Sequence, residues 1–108
     1  MDGSDKASIL GIDSKIVDAI KAIEDSQRRI ALVLSDEKKL LGTLTDGDIR
    51  RCLLSNGNLE TLVSHAMNTN PIFAEEGSPD EYLFSLMKKN NILAIPLVSN
   101  SGQFLRLA

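Results

Sequence analysis

The sequence predicts an α/β fold of mixed α+β character, in which two β-α-β-β-α units are related by an approximate twofold axis and pack their small sheets face to face. Three observations predict it. Helical periodicity alternates with short apolar runs of strand length. The pattern of the first half recurs in the second at a fixed shift of 64 residues, without a gap. A unit of about 45 residues cannot bury both faces of a small sheet alone, whereas two such units can.

Ile16, Val17, Ile20 and Ile23 fall on one helical face between Ser14 and about Arg28. Ile30 to Leu34 is a continuous apolar run of strand length, Ser35-Asp36-Glu37-Lys38 is a polar turn, and Leu40 to Thr45 is a second strand. Asp46 opens another helix, with Ile49, Leu53 and Leu54 on its apolar side and Asn56-Gly57 as its stop. The shift carries Ser14 onto Ser78, Ala19 onto Leu83 and Ile23 onto Met87. It also carries Val33-Leu34-Ser35 onto Leu97-Val98-Ser99 and Leu40-Leu41 onto Phe104-Leu105. The helix of the second half opens on Ser78-Pro79-Asp80-Glu81, which predicts Ser78 as N-cap, Pro79 at the first helical position and Glu81 closing a capping box. The units are expected over residues 1–66, with an N-terminal arm, and 67–108.

Composition narrows the function classes. The chain has 108 residues, 43% hydrophobic and 25% charged, with a formal net charge of −3. Trp is absent, so Ile, Leu, Val and Ala must supply the core. A weakly acidic surface argues against nucleic acid, which needs a dense basic patch. Apolar runs are too short for a membrane span. The first residues, Met-Asp-Gly-Ser-Asp-Lys, lack the pattern of a signal peptide. Cys52 is the single cysteine, so neither an intramolecular disulfide nor a cysteine zinc site can form. A cytoplasmic protein is expected. No catalytic triad, metal-ligand cluster or nucleotide-hydrolysing loop is recognisable. His65 reads as solvent-facing or interfacial, Cys52 as a small packing residue, Met67 and Met87 as core. No catalytic residue, metal or cofactor is expected.

The chemistry concentrates in Gly42-Thr43-Leu44-Thr45-Asp46-Gly47-Asp48-Ile49-Arg50-Arg51, which runs from a strand end into a helix start. A capping box, with Thr45 as N-cap and Asp48 reaching back to its amide, accounts for the Thr-x-x-Asp spacing. The same geometry suits a ligand: free amides at a helix start favour phosphate, and the Asp48 carboxylate, an acceptor only, suits a diol such as ribose. Gly42 and Gly47 allow close backbone approach. Arg28-Arg29 and Lys38-Lys39 read as solvated turn charges, and Arg50-Arg51 as helix ion-pair partners of Asp46 and Asp48; the alternative is that Arg28 or Arg29, or one of Arg50 and Arg51, reaches such a phosphate.

Two gapless strand-helix units, the first closed by Gly-hydrophobic-Thr-x-x-Asp, resemble a tandem pair of cystathionine-β-synthase (CBS) domains, a Bateman module. The likeness runs from about Ile9 to Ala108 and includes Met67-Asn68-Thr69-Asn70-Pro71-Ile72 and Ile95-Pro96-Leu97-Val98. The string Thr45-Asp46-Gly47-Asp48-Ile49-Arg50-Arg51 is similar to that of pairs attached to sugar-phosphate nucleotidyltransferases and sugar-phosphate isomerases. The resemblance implies an adenine nucleotide, AMP, ATP or a similar compound, bound between the units to regulate an attached catalytic domain. It implies a ligand set of Thr43, Thr45, Asp46, Gly47 and Asp48, with Thr45 on phosphate and Asp48 on ribose. Asn70, Pro71, Ile72 and Phe73 would line the base side, with Ile92 and Pro96 near. It also implies a homodimer.

The second half departs from the pattern. Arg106 stands at the position of Gly42, and the chain stops at Ala108, opposite Leu44. A second Thr-x-x-Asp and its helix are therefore expected to be missing, so that one of two possible sites keeps its acidic anchor and the chain reads as one module of a longer polypeptide. The alternative function is a ligand-free dimerisation scaffold, in which Thr45 and Asp48 only cap a helix.

Overall fold

The computed structural model describes residues 9–26, 28–92 and 94–108. The first unit comprises β1 (Ile9–Gly11), α1 (Ile16–Asp25), β2 (Ala31–Leu34), β3 (Leu40–Leu44) and α2 (Asp46–Leu54). After a single 3₁₀ turn at Val63–His65, the second unit runs through β4 (Ala74–Glu75), α3 (Asp80–Asn90), β5 (Pro96–Val98) and β6 (Phe104–Leu107). Each unit forms one three-stranded sheet, in the orders β1-β2-β3 and β4-β5-β6. β1 and β2 are parallel, joined across α1 as a parallel pair must be, and β2 and β3 form an antiparallel hairpin. β4, β5 and β6 repeat this arrangement.

Alternation along the strands builds three apolar layers. Ala31 and Val33 of β2 pack with Ile16, Ala19, Ala22 and Ile23 of α1 and Ile49 of α2. Leu32 and Leu34 point the other way and, with Ile30, Ala94 and Leu107, fill the space between the two sheets. In the second unit Ile95 and Leu97 pack with Leu83, Leu86 and Met87 of α3. Leu32 and Ile95 are fully buried, and each such side chain contributes about 1.5–3 kcal/mol through the hydrophobic effect. The Lys15 ammonium donates to Glu60 Oε1 at 2.7 Å, tying the segment after α2 to the start of α1. That hydrogen bond and the Glu60 charge raise the Lys15 pKa.

The repeat extends to irregularities. The hairpin bulge at Val33/Leu34 recurs at Leu97/Val98. The positive φ of Lys38, 66°, recurs as 88° at Gly102. Ser35 Oγ accepts from the amides of Glu37 and Lys39, and Ser99 Oγ accepts from those of Ser101 and Gln103. Between the units, the Leu40 amide donates to the Gly102 carbonyl at 3.2 Å and the Phe104 amide to the Lys38 carbonyl at 2.9 Å. The shift of 64 residues turns each of these two bonds into the other with the units exchanged, as an approximate twofold axis requires.

Two expectations are corrected. Pro79, not Ser78, is the N-cap of α3: its backbone is extended, and its carbonyl accepts from the amides of Tyr82 and Leu83. Lys15, its counterpart, does the same toward Asp18 and Ala19. Ser78 Oγ instead donates to the Glu75 carbonyl, closing the turn after β4. On α2, Leu53 and Leu54 are 40% and 79% exposed. The helix seats Ile49 and, half-buried, Cys52 in the core, which rotates Leu53 and Leu54 outward. Met67 and Met87 are half-buried against their units' cores, and His65 is exposed.

A hollow of about 360 Å³ lies over α3 and β6, lined by Leu83, Phe84, Met87, Leu97 and Ala108. Their counterparts, Ala19, Ile20, Ile23, Val33 and Leu44, belong to the layer into which α2 sets Ile49. The hollow is therefore the second unit's equivalent of the seat that α2 fills in the first.

Candidate functional site

Leu44, fully buried, anchors the end of β3 and delivers Thr45 in an extended conformation to the N-cap of α2. Asp48, one turn on, reaches back: its Oδ2 accepts from the Thr45 amide at 2.9 Å. Its Oδ1 accepts from Arg51 Nη2 at 2.6 Å. Helical geometry leaves the first amides of α2 without an internal carbonyl partner, so this end carries partial positive charge.

The opposite wall comes from the chain leaving the first unit. The Asn68 amide and carbonyl pair with the carbonyl and amide of Thr43 at 2.8 and 3.2 Å, laying residue 68 along the sheet edge. Gly42 makes this possible, since a Cβ there would stand 2.6 Å from Met67 Sδ and 2.9 Å from the Asn68 carbonyl oxygen. From there the chain leads Ile72 over the cleft. Ile92 and Ala94, between α3 and β5, complete the wall.

The result is a cleft of about 340 Å³ where Thr43, Thr45 and Asp48 of the first unit face Ile72, Ile92 and Ala94, with Arg51, Asn68 and Asn90 at its rim. Its floor pairs Ile30 with Ala94, the same position in the two repeats. An adjoining hollow of about 220 Å³ shares Thr45 and Ile92 and adds Arg28, Arg29, Asp46 and Gly47. Arg29 Nη1 lies 3.6 Å from Asp46 Oδ2 at this mouth. Chemically, the arrangement offers a nearly buried carboxylate and hydroxyls, apolar faces that can hold a planar ring, and a cationic helix-start corner. Cavities of this kind, apolar with a few convergent polar groups, are the usual form of a ligand site.

Of the residues predicted from the sequence, Thr43, Thr45, Asp48, Ile72 and Ile92 meet in the cleft, and Asp46 and Gly47 line the adjoining mouth. Asn70, Pro71 and Phe73 line a separate hollow of about 250 Å³ with Leu40, Val98 and Gly102. Of residues 70–73, Ile72 is the one that faces the cleft. Pro96 is fully buried in β5, at the repeat position of Leu32, and does not reach the cleft. Sequence reasoning missed Ile30, Asn68, Asn90 and Ala94; the register of the repeat was the available signal for Ile30 and Ala94. Among the described residues, no cluster of three or more His, Cys, Asp or Glu is placed to hold a metal, and no helix is long and apolar enough to cross a membrane.

Residues 6–55 match the family model of the CBS domain. Over 90 residues the chain is 31% identical to the arabinose 5-phosphate isomerase GutQ of Salmonella typhi, covering 83% of this chain and 28% of the isomerase. It thus spans less than a third of that relative's length. Among solved structures, a CBS-domain-containing protein from Agrobacterium tumefaciens superposes with a TM-score of 0.76 at 22% identity, over 93% of this chain and 80% of that one. A CBS domain protein from Pyrobaculum aerophilum complexed with AMP gives 0.79 at 17% identity, over 93% and 77%. A CBS domain pair in complex with 5′-methylthioadenosine and S-adenosyl-L-methionine gives 0.78 at 23% identity, over 93% and 78%. The match to the CBS-domain model thus lies in the first unit, and the chain as a whole has the fold of a CBS-domain pair.

Proposed function

We propose that this chain is a ligand-sensing regulatory module that binds an adenine nucleotide, AMP, ATP or a similar compound, in the cleft between its two units and thereby controls an attached enzyme domain. The observation that carries this reading is the juxtaposition of Asp48 and Thr45 of one unit with Ile72 and Ile92 on the facing wall. A ribose diol donates to the Asp48 carboxylate, the adenine ring lies between the isoleucines, and phosphate sits at the start of α2 near Thr45. Because the ligand touches both units, its binding free energy depends on how they are set relative to each other, and that difference is what a sensor needs. The AMP and S-adenosylmethionine complexes of proteins with this fold support the class of ligand.

The attached enzyme, in this reading, acts on a sugar phosphate. Of the two partners considered, a nucleotidyltransferase and an isomerase, the likeness to arabinose 5-phosphate isomerases supports the isomerase. The module itself carries no catalytic role, works in the cytoplasm, where a lone Cys52 stays reduced, and forms a homodimer. A thermal-shift panel of AMP, ADP, ATP, S-adenosylmethionine and cytidine and guanosine nucleotides tests it: a dose-dependent rise in melting temperature is expected for the adenine compounds. One observation favours the scaffold reading instead. Both Asp48 oxygens already have partners within the chain, and a flat response across the panel would establish that Asp48 is a cap alone.

A further inference from the structure

We infer that Arg51 makes this cleft selective for a phosphorylated ribonucleoside over the bare nucleoside, because it must leave Asp48 before a ribose can be held; the inference rests on the proposed nucleotide cleft.

Asp48 Oδ2 is taken up by Thr45, accepting from its amide at 2.9 Å and from its hydroxyl at 3.2 Å, bonds that hold the start of α2. The oxygen left for a diol is Oδ1, and the Arg51 guanidinium occupies it at 2.6 Å. A carboxylate oxygen offers about two acceptor positions, so with the guanidinium in place Oδ1 keeps one, whereas a diol donating both its hydroxyls needs two. A ribose diol that takes both positions of Oδ1 therefore displaces Arg51.

The displaced cation is badly placed. Arg51 folds backward along α2, and a Cβ at Gly47 would lie 3.5 Å from its Nη1 and 3.8 Å from its Nη2. The guanidinium thus lies over the first turn of the helix, the end where the macrodipole repels a cation. It stays because Asp48 offsets that repulsion. A bare nucleoside removes the offset and returns nothing. A phosphate arriving at the same helix start supplies a new anionic partner within the arc of the Arg51 side chain, and Arg–phosphate pairing is among the stronger charge-assisted contacts. Arg29, which faces Asp46 at 3.6 Å, also serves the phosphate corner but touches neither Asp48 oxygen in this structure.

The signature of this exchange is a substitution that moves two affinities in opposite directions. Calorimetric titration of the 108-residue chain and its Arg51→Gln and Arg29→Gln variants with adenosine and with AMP measures it. Arg51→Gln is expected to tighten adenosine by about twofold, the value of a helical i,i+3 ion pair no longer competing. The same variant is expected to weaken AMP at least about tenfold through loss of the phosphate contact. Arg29→Gln is expected to weaken AMP and leave adenosine unchanged. Melting temperatures near wild type confirm that the variants fold. Adenosine affinity that stays level or falls in Arg51→Gln, with wild type binding AMP, overturns the inference and leaves the cleft reading standing. Wild type that binds neither probe overturns the cleft reading and this inference with it.

Discussion

Lys39 and Gln103 face each other as an antiparallel bridge, and they are the same position in the two repeats. Each is its partner's counterpart, so the approximate twofold axis passes between them. The hairpin tips on either side, Lys38 and Gly102, both hold positive φ and exchange hydrogen bonds with the opposite unit. The joint between the units therefore depends on two left-handed turn residues rather than on side-chain packing alone.

Gly102→Ala isolates that dependence. A Cβ at Gly102 meets nothing within 4 Å, so the substitution adds conformational strain at φ 88° and no clash. The expected loss is about 1 kcal/mol of stability, a fall in melting temperature of roughly 4–8 °C for a domain near this size. Thermal unfolding followed by circular dichroism measures it, and an unchanged melting temperature contradicts the account.

The repeat was legible because caps, turns and apolar positions recur at one shift, and structure follows that shift to single hydrogen bonds. What sequence could not resolve were choices between adjacent residues. Ser78 carries a cap-forming hydroxyl, yet the turn after β4 uses it and passes the N-cap to Pro79. Leu53 and Leu54 have core-forming side chains, yet α2 needs only Ile49 and part of Cys52 to cover its sheet. At the site, the Thr45–Asp48 box was readable from its spacing. The wall opposite was not: which of Asn70, Pro71, Ile72 and Phe73 faces the cleft depends on how the chain pairs beside Thr43, a long-range contact without a local signal.

Gly42 and Arg106, counterparts in the repeat, differ in what they permit. At Gly42 a methyl group would press on the Asn68 carbonyl at 2.9 Å, and backbone cannot swing aside as the Met67 side chain can. Gly42→Ala is expected to cost about 1–3 kcal/mol. Arg106 is exposed, paired with Glu76 at 2.8 Å, and Arg106→Ala should stay within about 0.5 kcal/mol of wild type. Chemical denaturation of both variants checks the contrast; equal losses would contradict the close approach at Gly42.

The proposed homodimer has a testable surface. Phe84, 71% exposed, stands in the hollow that matches the seat of α2, and Leu54 is 79% exposed. Light scattering at micromolar concentration should give about twice the 11.8 kDa chain mass, and Phe84→Asp should shift it toward the single-chain value. A wild-type monomer over a wide concentration range would refute the dimer.

In the proposed reading Asp48 holds a ligand as well as capping α2. Asp48→Ala removes charge-assisted hydrogen bonds of about 1.5–3 kcal/mol each, so AMP affinity should fall at least about tenfold. Loss of the cap costs only about 1 kcal/mol of folding stability. Asp48→Asn keeps the size and one acceptor while losing the charge, and should weaken binding in the same direction. The measurement is AMP affinity by calorimetry beside the melting temperature of each variant. Affinity is expected to collapse while the fold loses little; unchanged affinity with lowered stability would overturn the ligand reading and leave Asp48 as a helix cap.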